Sequence, residues 1–221
     1  MMIEAGKYTV HDVRAIYSRR SRIYSKTVAP LEFPNHLRAI EKAAIQPHDL
    51  VLEVAVGPGL ALRQLAQKVD PSTVVQGVDL SPGMLAVARN TLQTAGITNV
   101  TLSEGSATNL TFPDETFDVL YNAYMLDLIP LAEMPKVLNE FWRILKPGGR
   151  LVLLNMSKPD AQTTTLRERL YPLLPPKLAL YLIGGCRPVL MEKPVQQAGF
   201  QGIEREFVPG KFPSEIVTAV K

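Results

Sequence analysis

The chain has almost no cysteine. Its single thiol, Cys186, excludes an internal disulfide and any metal site built from several cysteines, so no metal is expected. Histidine is nearly as scarce. All three, His11, His36 and His48, precede residue 50, so none rises from the later strand ends, and His36 and His48 read as surface residues beside turns. No apolar run is long enough to cross a bilayer, and Met1 to Lys7 lacks the apolar segment of a secretory signal. A cytoplasmic protein is the expectation. Repeats and low-complexity tracts are absent. What remains is a chain of 221 residues, 46% hydrophobic and 20% charged, enough to bury one sizeable α/β core and too short for two large domains.

The organising stretch is Leu50 to Leu60, LVLEVAVGPGL. Its apolar run reads as a buried parallel strand that ends in a glycine-rich turn and opens a helix. Gly57 and Gly59 let the backbone turn tightly and approach a ligand, and the helix behind them offers unpaired amides. A dinucleotide fold wants Gly-x-Gly-x-x-Gly, but Leu62 holds the third position. The strand also carries an acid, Glu53, which suits a cation better than a pyrophosphate. A second acid, Asp79, ends the next apolar run, Thr73 to Asp79, where a carboxylate can accept from both ribose hydroxyls. S-adenosylmethionine has a ribose, an ammonium and a sulfonium and no phosphate, and the pair Glu53 and Asp79 fits it.

At this point a family resemblance enters. Leu52 to Gly59 resembles the first motif of the class I S-adenosylmethionine-dependent methyltransferases, with Ala55 where the family has its usual first glycine. Gly77 to Leu85 is similar to the second motif. Gly105-Ser106-Ala107, followed by Leu110 to Val119, resembles the adenine loop and fourth strand, and Arg143 to Leu151 looks like the turn into the fifth. Four ordered motifs, from about residue 13 onward, are far more specific than one glycine loop. The resemblance implies an α/β fold: a Rossmann-like, seven-stranded, mostly parallel sheet with helices on both faces, N-terminal lid helices, and a small helical insertion before the last two strands. It implies S-adenosylmethionine as cofactor and S-adenosylhomocysteine as product. The implied cofactor contacts are Tyr17, Tyr24, Glu53, Ala55, Gly57, Gly59, Asp79, Leu80, Met84, Gly105, Ser106, Ala107 and Asn122. Ser106 stands where the family usually has Asp; a hydroxyl can still accept from the adenine amine, without the charge. Within the class, Leu154 to Pro159 and Phe212 to Val217 are similar to the ubiquinone and menaquinone methyltransferase branch.

One methyltransferase domain is expected over residues 1–221, with lid helices in 1–45, a cofactor-binding core in 50–156, a substrate-side insertion in 157–192, and a closing helix and strands in 193–221. The net charge of +3 is concentrated at the start, where six basic residues against two acidic give +4 over residues 1–26. On a helical wheel Arg14, Arg19, Arg22 and Lys26 share one arc and Val10, Val13, Ile16, Tyr17, Ile23 and Tyr24 the other, with Arg20 breaking the apolar side. That helix reads as a lid packed on the domain or as a membrane-surface helix. Tyr17 and Tyr24, seven apart on one face, match paired aromatics that in relatives close over the cofactor. The second helix, from Phe33, carries Leu37, Ile40 and Ala44 in register. The insertion is largely apolar, through Tyr171, Leu173, Leu174, Leu178, Leu180, Tyr181 and Leu182, with Arg167, Arg169, Lys177 and Arg187 interspersed. Such a cap suits a hydrophobic acceptor bearing an anionic or phenolic oxygen.

Methyl transfer from a sulfonium is an in-line displacement with an activated donor, so positioning and water exclusion supply most of the rate. A base is needed only if the acceptor must lose a proton. In the loop after the fourth strand, Asp127 is a candidate base and Tyr124 a candidate donor or aromatic wall, and Asn155 is a candidate substrate contact. The expected function is methyl transfer to a small or lipophilic acceptor, quinone-like or aromatic. Phospholipid N-methylation at a membrane surface is the alternative, and a non-catalytic S-adenosylmethionine-binding protein the second, because Ala55 and Ser106 depart from the pattern. Nucleic acid is disfavoured: the chain lacks the Asn/Asp-Pro-Pro-Tyr/Phe motif of amino-group nucleic-acid methyltransferases, and Cys186 lacks the Pro-Cys setting of the cytosine ones.

Overall fold

Five strands run parallel, and the apolar stretches of the central ones are buried on both faces, which only a sheet covered by helices on each side can provide. The computed structural model describes residues 9–170, 173–175, 178 and 185–221. The strands are β1 (Val51–Val54), β2 (Val75–Asp79), β3 (Val100–Glu104), β4 (Phe117–Ala123), β5 (Leu145–Met156), β6 (Gln201–Val208) and β7 (Ser214–Val220). They form one sheet in the order β3-β2-β1-β4-β5-β7-β6. β7 is antiparallel to both β5 and β6, and the other pairs are parallel. The seven-stranded Rossmann-like fold is thus as expected.

Helices α1 (Val10–Thr27), α2 (Ala29–Lys42), α3 (Leu60–Lys68), α4 (Pro82–Thr94), α5 (Met134–Ile144), α6 (Leu166–Leu170) and α7 (Glu192–Gln197) complete the described residues. On one face Ala39 and Ile40 of α2, Leu62 and Leu65 of α3 and Leu85 and Ala88 of α4 pack on Val51 and Val75. On the other, Val137, Leu138 and Phe141 of α5 and Val195 of α7 pack on Leu52, Leu120 and Val217. Each fully buried leucine contributes about 1.5–3 kcal/mol. The chain passes from β1 to β2 and β3 on one side and returns to β4 on the other, which opens a crevice beyond the carboxyl ends of β1 and β4.

The N-terminal helix does not divide as its wheel suggests. Val10 and Ile23 are 59% and 58% exposed, whereas Ser21 is buried and Arg14 turns inward to donate to the Leu80 carbonyl at 3.2 Å. The packed stripe runs through Arg14, Tyr17, Ser18, Ser21 and Tyr24, because α1 crosses α4 too closely for large side chains. A Cβ on Gly83 would lie 2.5 Å from the Ser18 carbonyl oxygen. In α2 the register also differs: Leu37 and Ala44 are exposed, and Ala29, Glu32, Ala39, Ile40 and Ala43 are buried.

After β5 the chain is pinned by buried ion pairs, Lys158 to Glu168 at 2.7 Å and Arg205 to Glu215 at 2.6 Å. Of the insertion residues singled out from sequence, Tyr171, Lys177, Leu180, Tyr181, Leu182 and the Arg167 side chain lie outside the described residues. Leu173 is 76% exposed. Arg187 is not a substrate-facing cation: it is fully buried and donates to the carbonyls of Asp127 at 2.9 Å and Ile129 at 2.6 Å.

Two non-glycine residues at the strand tips hold positive φ, Ala55 at 64° after β1 and Tyr124 at 49° after β4. Both are fixed by ladder bonds, Ala55 N–H to Val78 O and Tyr124 N–H to Leu154 O, each 2.7 Å. A left-handed L-residue costs about 1–2 kcal/mol, and glycine's extra unfolded-state entropy returns about 0.4–1 kcal/mol of any relief. Ala55→Gly is therefore expected to leave stability unchanged or raise it by up to about 1 kcal/mol in urea unfolding. Ala15→Gly, on the exposed face of α1, should lose about 1 kcal/mol, and equal losses at both positions would contradict the strain assignment.

Candidate active site

The crevice is a cavity of about 450 Å³, walled by α1, α2 and the ends of β1, β2 and β4. Most of the residues singled out from sequence meet there. Tyr17 and Tyr24 come from α1, Glu53, Ala55 and Gly57 from the tip of β1, and Asp79, Leu80 and Met84 from the β2–α4 turn. Gly105, Ser106 and Ala107 follow β3, and Tyr124 follows β4. Gly59, Asn122 and Asp127 do not line the cavity. Gly59 is the left-handed residue ahead of α3, where a Cβ would lie 3.0 Å from Ala88, so its role is helix packing. Asn122 is fully buried and donates to Val54 O at 2.8 Å, tying β4 to β1. Asp127 is fully buried too, its carboxylate accepting from Met156 N–H at 3.0 Å, which removes it as a base in contact with an acceptor. Asn155 is likewise buried away from the cavity.

Asp79 is held by two amides, Gly57 N–H on one oxygen and Ser81 N–H on the other, each at 2.8 Å. Burial still lifts its pKa to about 6, against the pull of those two bonds. Glu53 is also lifted well above the usual carboxylate range, by burial first and the Asp79 charge second. Its Oε2 is buried without a hydrogen-bond partner among the described residues. Two buried carboxylates with an orphaned oxygen call for a cation and hydroxyl donors. An α-ammonium and a ribose supply these, so the residues present fit S-adenosylmethionine.

Ser81 caps α4, accepting from Met84 N–H at 3.1 Å. The Ser106 hydroxyl is 2.9 Å from that of Thr108, within its own loop. Over the cavity α1, which opens on the Thr9 and Asp12 capping box, is fastened by Arg14 to Leu80 O and Glu104 and by a Ser18 to Ser81 bond of 2.8 Å. The Tyr17 and Tyr24 rings meet edge to face, 6.0 Å apart. Tyr24 donates from its hydroxyl to Glu32 at 2.6 Å.

Glu32 and His36 of α2 also line the cavity, and neither was read from sequence as a site residue. His36 is not the surface residue expected. Its Nδ1 is 2.9 Å from the Tyr121 hydroxyl, its ring is 5.4 Å from that of Tyr124, and burial lowers its pKa to about 4. The available signal was a stripe through positions 32, 36, 39, 40 and 43 of one helix, otherwise small or apolar, that carries an acid and an imidazole. Tyr124 is a wall rather than a free donor, because Asn35 donates to its hydroxyl at 3.1 Å and Ser214 bonds it at 3.0 Å.

Comparison with known proteins agrees with this geometry. A family model described as a methyltransferase domain matches residues 51–149. A demethylmenaquinone methyltransferase of Symbiobacterium thermophilum is 40% identical over 126 residues, 56% of this chain and 49% of that protein. One of Geobacillus sp. (strain WCH70) is 31% identical over 162 residues, 72% of this chain and 67% of that protein. The chain thus spans between half and two thirds of the length of these relatives. In fold it is similar to the crystal structure of a SAM-dependent methyltransferase from Aquifex aeolicus, with a TM-score of 0.64, 19% identity, and 97% and 99% of the two chains covered. The chain belongs to the class I S-adenosylmethionine-dependent methyltransferases, and its cofactor is S-adenosylmethionine. Within that class it stands on the menaquinone branch.

Gly83 gives a test of the lid. By helix propensity Gly83→Ala should stabilise α4 by up to about 1 kcal/mol. The clash with the Ser18 backbone is expected to dominate, displacing α1 so that trypsin cuts faster after Arg19, Arg20 and Arg22. Unchanged proteolysis, with S-adenosylhomocysteine affinity intact, would show that the helix does not rely on this close approach.

Proposed function

We propose that the chain transfers a methyl group to an electron-rich ring of a lipophilic acceptor, a quinol or phenol. The observation that carries this reading is the α2 side of the cavity, where Tyr24, Tyr124, His36 and Ala29 make an apolar, aromatic wall suited to a planar ring. The relatives named as demethylmenaquinone methyltransferases support the same class of acceptor.

When bound, S-adenosylmethionine supplies a methyl group already activated by its sulfonium. The protein's part is position and dryness. Asp79 accepts from the ribose hydroxyls, Glu53 faces the ammonium, Leu80, Met84 and Gly105 to Ala107 enclose the adenine, and Tyr17 and Tyr24 close the cavity above. Tyr124 and Met125 set the ring against the donor. The exposed face of α1, with Arg19, Arg22 and Lys26 around a 58% exposed Ile23, suits an anionic lipid surface from which such acceptors would be drawn.

Two measurements test this reading. In calorimetry with S-adenosylhomocysteine, Asp79→Ala should cost on the order of 1.5–3 kcal/mol, the value of a charged hydrogen bond. Asp79 must be ionised to hold the ligand, so affinity should be lost as pH falls through about 6, approaching tenfold per pH unit. A flat profile between pH 5 and 7 would contradict the assignment. Turnover of labelled cofactor should appear with quinols or phenols, and with soluble ones in the absence of lipid. Transfer to phospholipid headgroups alone would favour the N-methylation alternative, and cofactor binding with no transfer to any quinol, phenol, amine, thiol or phospholipid would favour a binding protein.

A further inference from the structure

We infer that Glu32 is the base that takes the proton of the acceptor, an inference that rests on the ring acceptor proposed above. Four carboxylates line the cavity among the described residues: Glu32, Glu53, Asp79 and Glu133. Asp79 and Glu53 are adjacent at the strand tips and serve the donor. Glu133 is engaged by Lys136 at 3.0 Å on the outer surface of α5. Glu32 is left, on the opposite wall, 5% exposed, with Tyr24 donating to its Oε2 at 2.6 Å and no donor among the described residues on its other oxygen.

The competing group is His36, one turn further along α2. Its imidazole is engaged with Tyr121 and so weakly basic that it stays neutral above about pH 4. Glu32 differs. Burial raises its pKa to about 7, the Tyr24 hydroxyl opposes that rise, and the Asp127 charge adds to it from behind the wall. A base whose conjugate acid sits near working pH is the more effective in proton transfer. The titratable groups around it are Tyr17 and Tyr24 of α1, His36 of α2, Tyr124 and Asp127 after β4, and Cys186 beside Tyr24.

The step balances without another reactant. As the acceptor attacks, its O–H proton passes to the Glu32 carboxylate, a bond forms to the methyl carbon, and the carbon–sulfur pair leaves on sulfur as the neutral thioether. For attack by oxygen the proton then passes from Glu32 to water. For attack by a ring carbon it returns to the oxygen while the displaced ring proton goes to water.

Glu32→Gln in the full chain tests this, because the amide oxygen can still accept from Tyr24. S-adenosylhomocysteine affinity should stay within about twofold, while kcat on a ring acceptor falls roughly 100-fold or more and the rise of kcat near pH 7 disappears. Tyr24→Phe should shift that rise to higher pH, since it removes the bond that lowers the Glu32 pKa. A Glu32→Gln enzyme that keeps more than about a tenth of kcat, keeps the rise, or loses cofactor binding as much as turnover would overturn the inference. A second readout needs no turnover. Photoexcited 2-naphthol gives its proton to a base within reach, so in the S-adenosylhomocysteine complex it should emit as naphtholate with wild type and as neutral naphthol with Glu32→Gln. Neutral emission from both would overturn the base and leave ring methylation standing. Transfer by wild type to amines or phospholipid and to no ring acceptor would instead overturn the acceptor class.

Discussion

Two carboxylates of the same sign, buried at adjacent strand tips, set the terms for the rest of this structure. Like charges a few ångström apart repel by about 4 kcal/mol at an effective dielectric of 20, against a typical net stability of about 5–15 kcal/mol. The free protein eases that cost by protonation: burial lifts both Glu53 and Asp79, and the Asp79 charge adds to the rise of Glu53. A ligand that brings a cation to one and hydroxyl donors to the other reverses the balance. Selectivity for a sulfonium nucleoside over a dinucleotide follows from electrostatics, because a pyrophosphate would add like charge to the same place.

The lid completes what the carboxylates begin. α1 is held on α4 by a serine pair and a glycine contact rather than by a broad apolar face. Such an attachment buries little apolar area, which is the physical condition for a segment that opens at modest cost. The Tyr24 to Glu32 bond joins this lid to α2, so on the reading proposed above closing over the donor and completing the acceptor side are one event.

The sheet could be read from sequence because central parallel strands buried on both faces must be largely apolar runs, as in β1, which is buried at all four positions. The glycines and acids at the strand ends also stood out in the sequence, and Glu53, Gly57 and Asp79 among them line the cavity. The faces of α1 and α2 were not legible. A buried face usually announces itself by size, but where backbones nearly touch it is made of Ser18, Ser21 and Gly83, which read as polar surface. In α2 the apolar residues Leu37 and Ala44 suggested one register, while smaller alanines carried the true one and took Glu32 and His36 inside with them. Asp127 and Asn122 misled in the opposite sense. Polar side chains beside a cleft can be spent on the backbone, as Asp127 is on Met156 and Asn122 on Val54.

Arg187 extends that last point to acceptor specificity. A fully buried guanidinium is expensive unless its donors are satisfied, and here they grip the carbonyls of Asp127 and Ile129. The Arg187 backbone N–H also donates to Asp127 O, at 3.1 Å. The end of the insertion is thereby fastened to the loop whose Tyr124, Met125, Leu128 and Ile129 wall the cavity. Changes in the insertion can reshape that wall through Arg187 while the carboxylates at the strand tips stay fixed. On the reading proposed above, the fold separates the two halves of its chemistry: donor recognition lies at the strand tips of the sheet, and acceptor recognition in the loop that Arg187 fastens to the end of the insertion.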